Sequence, residues 1–155
     1  MASTPDRDLP LLLTALAAEC DARVRARMAE AGHGEARTVH GYVFQHLLTG
    51  PVRVTDLAER LGMTAQGASK VVAEMERVGY AARRPDPRDS RARLVELTPR
   101  GLAAVEAGRA ARAEVTAELL GALGPTAGEF LTSLGGLAER TGALRELLAR
   151  RLRPR

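Results

Sequence analysis

Apolar positions recur along this chain at helical spacing near both ends and through the middle, and alternate with period two only once. From Pro10 to about Ala31, Leu13, Leu16, Ala17, Cys20, Val24 and Met28 line one face, with proline in the first turn and Gly32 and Gly34 as stops. A second helix is predicted over Glu35 to Leu48, burying Val39, Val43, Phe44 and Leu47. Thr49-Gly50-Pro51 breaks it and leads into a short strand at Val52-Arg53-Val54. Thr55 then caps a helix whose apolar face is Leu57, Ala58 and Leu61 and whose stop is Gly62. Thr64 caps the next, running to about Val78 with Gly79 beyond it. At 100° per residue, Ala68, Val71, Val72, Met75 and Val78 fall within an arc of about 120°, the face to be buried.

The alternating stretch follows. Arg91, Arg93, Val95 and Leu97 alternate with Ala92, Leu94 and Glu96, the pattern of a strand, and Asp86-Pro87 marks the turn that precedes it. Thr98-Pro99 opens a long Ala-rich helix to about Leu123, which Gly124-Pro125 stops. Thr126 caps a last helix expected to reach about Arg151. Along it Phe130, Leu134, Leu137, Thr141, Leu144 and Leu148 alternate spacings of four and three, a heptad seam of about three repeats.

Two short helices across a tight turn, followed by a hairpin, make a winged helix-turn-helix, whose usual partner is duplex DNA. The polar arc of the second short helix agrees with that role. Ala65, Gln66, Ser69 and Lys70, the chain's only lysine, come early, while Glu74 and Glu76 come late. A helix entering a major groove by its N-terminus needs this order, because phosphates repel carboxylates. The hairpin adds five arginines from Arg83 to Arg93 against Asp86 and Asp89, and arginine at such a tip suits the negative potential of a narrow minor groove.

The block R-R-x-D-P-x-D-x-R-x-x-x-V-x-L-T-x-x-G, here Arg83 to Gly101, directly after a helix-turn-helix, resembles the multiple-antibiotic-resistance regulator family, MarR. The resemblance implies a recognition helix in the major groove through Gln66, Ser69 and Lys70, and a wing whose Arg91, oriented by Asp89, reaches the minor groove. Thr64 at the helix cap and Arg83, Arg84, Arg88 and Arg93 in the basic hairpin are further candidates for DNA contact. It further implies a homodimer whose first and last helices interlock. The residues point the same way, since both ends carry apolar stripes, including Leu13, Leu16, Phe130, Leu134, Leu137, Leu144 and Leu148, that no sheet or further layer covers. An intrachain antiparallel helix pair is the alternative. Two-fold symmetry would set the recognition helices ~34 Å apart on a palindromic, inverted-repeat operator.

The fold class expected is therefore mainly α: a winged helix-turn-helix at 49–101, between helical arms at 1–48 and 102–155 that dimerise. Composition narrows function further. Aromatics are 3% against 45% hydrophobic residues, so the core is aliphatic; a net charge of +4 is compatible with nucleic acid. No run approaches the ~18 apolar residues of a membrane span, no basic leader precedes an apolar one, and the single Cys20 cannot form an intrachain disulfide; a cytoplasmic location is expected. No phosphate-binding glycine loop, nucleophile elbow or zinc-protease helix is present, so no enzyme activity, catalytic residue or cofactor is expected.

Family members are often repressors released by small aromatic or anionic effectors bound between the dimerisation helices and the winged domain. That resemblance draws attention to Arg37, His40, Tyr42 and His46. Metal sensing through Cys20, His33, His40 and His46 is weakened by the lack of tight ligand spacing, and thiol sensing by the position of Cys20 well along the first helix. Both remain alternatives, as does a winged helix that binds protein instead of DNA.

Overall fold

In the computed structural model residues 8–149 are described. They form α1 (Leu9–Glu30), α2 (Thr38–Leu47), β1 (Val52–Arg53), α3 (Val54–Leu61), α4 (Ala65–Arg77), β2 (Ala81–Asp86), β3 (Asp89–Leu97), α5 (Pro99–Gly121), a 3-10 turn at Gly124–Thr126, α6 (Ala127–Arg140) and α7 (Ala143–Leu148). The three strands make one antiparallel sheet in the order β1-β3-β2, with Val95 opposite both Val52 and Arg83. This is the mainly helical winged architecture that the sequence predicts.

Caps and stops explain the middle of the chain. Gly62 adopts a left-handed conformation, φ 67°, and the Met63 N–H returns to the Ala58 carbonyl, which closes α3 and starts the turn. Thr64 Oγ1 then accepts the Gly67 N–H at 3.1 Å and opens α4, and Gly79, φ 78°, closes it. Of the five apolar positions expected inward on α4, Ala68, Val72, Met75 and Val78 are buried and Val71 is half-buried. Val72, Met75 and Val78 meet Leu57 and Leu61 of α3, Val43, Phe44 and Leu47 of α2, Tyr80, Val95, and Ala104 and Val105 of α5 in one core, with Val71 packed against it.

Thr98 fastens α5 to this core. Its Oγ1 accepts the Gly101 N–H at 3.0 Å and donates to the Gly79 carbonyl at 2.5 Å. A Cβ on Gly101 would lie 2.1 Å from the Tyr80 carbonyl oxygen, so the glycine that ends the wing motif permits a backbone-to-backbone approach. α5 then runs back along α1, where Met28 is buried and Arg27 pairs with Glu114 and Glu118.

Several boundaries differ from expectation. Pro10 does sit in the first turn of α1, and the cap, which the sequence pattern does not disclose, is Asp8, its Oδ1 accepting the Leu11 N–H at 3.0 Å. α2 starts at Thr38 and not Glu35, because His33 to Ala36 form a turn after the left-handed Gly32. Thr55 does not cap α3: Arg53 occupies the cap without a side-chain bond, and Thr55 Oγ1 lies 3.3 Å from Asp56 Oδ1. Thr126 bonds backward to the Leu123 carbonyl and gives α6 no side-chain cap. The expected last helix is broken at Gly142, φ 77°, which puts Phe130, Leu134 and Leu137 on α6 and Leu144 and Leu148 on α7. The expected end near Arg151 and the N-terminal tail before Asp8 lie outside the described residues. Among the described residues no helix is long and apolar enough to cross a membrane.

Candidate nucleic-acid interface

α4 presents Thr64, Ala65, Gln66, Lys70 and Ala73 to solvent, and Ser69 is half-buried beside them. The late acids are turned aside. Glu74 pairs with Arg37 and lies 3.7 Å from His40 Nε2, and Glu76 Oε2 accepts from Arg83 Nη1 at 2.8 Å. The first turns of the exposed face of α4 therefore offer small and amide side chains with one cation, Lys70, while Arg77 is exposed at the far end and the two carboxylates face neighbouring cationic or basic groups.

The wing arginines fall into two sets. Arg83 bonds Glu76 and also reaches the Ser69 carbonyl and Oγ, each at 3.3 Å, while Arg84 Nε donates to Glu96 Oε2 across the hairpin at 2.8 Å. Arg88, Arg91 and Arg93 are exposed and have no ion-pair partner among the described residues. Asp89 meets Arg91 through the backbone, its Oδ1 accepting the Arg91 N–H at 3.0 Å, so it shapes the strand start instead of gripping the guanidinium.

The sequence pattern did not disclose Arg53 and Asp86 as a pair. Asp86 is 6% exposed, accepts from Arg53 Nε at 2.8 Å and Nη2 at 2.5 Å, and takes the Arg88 N–H at 2.9 Å. The Arg88 backbone bond and the Arg53 guanidinium hold its carboxyl below the usual aspartate range. A carboxylate in a turn with so little exposure demands a cationic partner, yet that partner lies far upstream, before α3, where strand pairing alone brings it near. Arg53, Thr55, Ser69, Arg83 and Arg93 line an open cleft of about 370 Å³ between the start of α3, α4 and the wing. It joins the exposed face of α4 to the wing on one basic surface.

Of the four residues singled out for an effector, Arg37 and His40 meet at Glu74, while Tyr42 and His46 lie elsewhere round α2. His40 is fully buried: its Nδ1 accepts the Arg37 backbone N–H at 3.2 Å, and its ring meets Tyr80 edge-on at 6.2 Å. Burial lowers its pKa, Glu74 opposes that and Arg37 adds to it. Tyr42 and His46, one helical turn apart, lie about 160° and 120° round α2 from His40, each half-buried. Among the described residues no three His, Cys, Asp or Glu side chains gather as a metal site.

Comparison with known proteins places this geometry. The profile of the MarR family matches residues 37–92, and no curated protein matches the chain in sequence. The crystal structure of YusO from Bacillus subtilis superposes with a TM-score of 0.71 at 23% identity, covering 91% of this chain and 99% of that one. A MepR variant from S. aureus bound to an oligodeoxyribonucleotide gives 0.64 at 20%, covering 86% and 95%. The transcriptional regulator PcaV from Streptomyces coelicolor, in complex with its natural ligand, gives 0.60 at 19%, covering 94% and 99%. Residues 37–92 thus match the model of the MarR family, and the described residues share the winged helix-turn-helix fold of these solved regulators.

Proposed function

We propose that the protein is a sequence-specific DNA-binding regulator that acts as a homodimer on an inverted-repeat operator and represses by occupying it. The observation that carries this reading is one continuous surface. The acid-free face of α4, the basic cleft and the unpaired Arg88, Arg91 and Arg93 adjoin one another, with Ser69 and Arg93 lining the same opening. α4 would enter the major groove through Thr64, Gln66, Ser69 and Lys70, and the three wing arginines would meet phosphates and the flanking minor groove. Asp89 shapes the start of the strand that carries Arg91 and Arg93.

The homodimer is supported by the exposed leucines of α1, α6 and α7, including Leu13, Leu16, Leu137 and Leu148, with Phe130 among them. Release by a small aromatic or anionic effector is supported by the position of Glu74 on α4. An anion reaching Arg37 from the side of α2 would compete for the cation that Glu74 holds and so act directly on the recognition helix. MepR bound to an oligodeoxyribonucleotide and PcaV with its ligand are precedents in fold for each half of the proposal.

Footprinting on the DNA that flanks the chain's own coding region, followed by duplex titration over a salt series, tests it. Two protected half-sites about one helical turn apart are expected, with affinity falling steeply as salt rises. Failure to bind any duplex at low ionic strength would overturn the reading.

A further inference from the structure

We infer that Arg83 does not touch DNA but is a positioning residue, fixing the angle between the wing and α4 and thereby where the wing tip lands when α4 is seated. The inference rests on the DNA-binding reading above and adds a division of labour among the wing's arginines.

The geometry is specific. Arg83 stands on β2 opposite Val95, on the sheet face turned toward the core. Its guanidinium spans two turns of α4: Nη1 engages Glu76 Oε2 at 2.8 Å, and Nη2 engages the Ser69 carbonyl and Oγ at 3.3 Å. Ser69 and Glu76, seven residues apart, lie on one stripe of the helix, and the backward lean of helical side chains brings the Glu76 carboxylate toward Ser69. A planar fork serves both at once, which the single ammonium of lysine cannot do in the same geometry. Arg84, one position on, points to the other face and pairs within the hairpin with Glu96, leaving α4 alone. A second tie holds the far end, where Asp86 in the turn grips Arg53 at the start of α3. A two-stranded hairpin has little stiffness of its own, so its pose follows from what fastens it to the helices.

If Arg83 were instead a phosphate ligand, Glu76 would compete with DNA for it, and Glu76→Gln would tighten binding by freeing a cation and removing an acid. A tie predicts the opposite sign. The probe is a duplex of about three helical turns, selected by the wild-type chain from a randomised pool. Glu76→Gln should weaken binding to that duplex about tenfold, and Arg83→Gln at least as much. Both should leave the slope of log affinity against log salt unchanged, whereas loss of a phosphate contact lowers it by about one. Arg83→Lys should recover only part of the loss. In the free protein, amide hydrogen exchange over residues 86–91 should quicken in Arg83→Gln and Glu76→Gln while that of α4 stays unchanged.

Equal or tighter binding by Glu76→Gln, a lowered salt slope in Arg83→Gln, or unchanged hairpin exchange in both variants overturns the inference. Should the wild-type chain bind no duplex, the regulator reading fails by itself, and hydrogen exchange in the free variants still decides whether the tie exists.

Discussion

The winged segment and the helical ends are made of the same aliphatic side chains, yet they finish differently. The largest fully buried side chains, among them Leu57, Leu61, Val72, Met75 and Tyr80, all lie between residues 40 and 95. By contrast α6 and α7 bury no residue and α1 buries only Met28, while Leu9, Leu11, Leu12, Leu13, Leu16, Phe130, Leu131, Leu137, Leu147 and Leu148 stay exposed. A segment that crosses its own chain several times closes its core from within. Helices at the two ends of a chain, with one neighbour at most, close theirs only against something else. The proposed homodimer would supply that cover for these exposed leucines.

The largest effect should come from breaking the open side. Leu134→Arg sets a charge in the stripe shared by Phe130 and Leu137, and in a dimer that charge has no partner, at a cost of about 3–5 kcal/mol. If the proposed homodimer forms, sedimentation equilibrium should show the wild-type chain as dimer and the variant as monomer, with the winged segment still folded by amide exchange. A stable Leu134→Arg dimer would mean that α6 is not in the interface.

Next comes a break on the closed side. Gly101→Ala drives a Cβ against the Tyr80 carbonyl, and since both atoms are fixed by backbone, the junction of α4, β3 and α5 must shift. A loss of about 3 kcal/mol in urea unfolding is expected, without any change in dimerisation beyond that of stability. A loss near zero would show that α5 can slide on the wing and that the closed core is looser than it looks.

A smaller effect separates surface chemistry from either core. Arg91 is exposed and unpaired among the described residues, so Arg91→Ala should leave stability within about 0.5 kcal/mol and weaken duplex binding by about 1–3 kcal/mol. Fluorescence anisotropy against thermal unfolding resolves the two. Undiminished DNA affinity would remove Arg91 from the wing's contacts.

The same contrast accounts for what was legible in the sequence. Helix stops at Gly62 and Gly79, the Thr64 and Thr98 caps and the inward face of α4 are local devices, and a single chain spells them out. The break at Gly142 was masked by a heptad that continues on both sides of it, since a periodic stripe does not report a left-handed residue inside it. That Arg83 and Arg84 pair with acids was not legible, because a run of arginines says nothing about which of them find acids. Glu76 and Glu96 lie 7 and 12 positions away, on a helix and a strand that only folding brings alongside. Arg53 with Asp86 and His40 with Glu74 are likewise tertiary facts, each joining residues more than 30 positions apart.

The smallest predicted effect sharpens the comparison through protons, because all three histidines lie at 33–46 and none in α1, α6 or α7. Burial, with Arg100 adding to it, holds His33 below the ordinary histidine range; at His40 burial acts the same way, aided by Arg37 and opposed by Glu74. The unfolded chain titrates near 6.5, so below that pH it binds protons that the folded chain refuses, and stability falls with acidification and levels off above about pH 7. Between pH 7 and pH 6 the loss is at most about 0.7 kcal/mol per histidine. His40 has a further reason to resist. Its Nδ1 accepts the Arg37 N–H, so the neutral ring carries its proton on Nε2, and a second proton would set one N–H against another and uncap α2. Urea unfolding across that range should therefore show a positive slope with pH that flattens in His40→Asn, whose carbonyl can still accept from Arg37. Amide exchange should quicken first at the start of α2 and leave α6 unaffected. An unchanged slope in His40→Asn would assign the acid sensitivity to His33 instead.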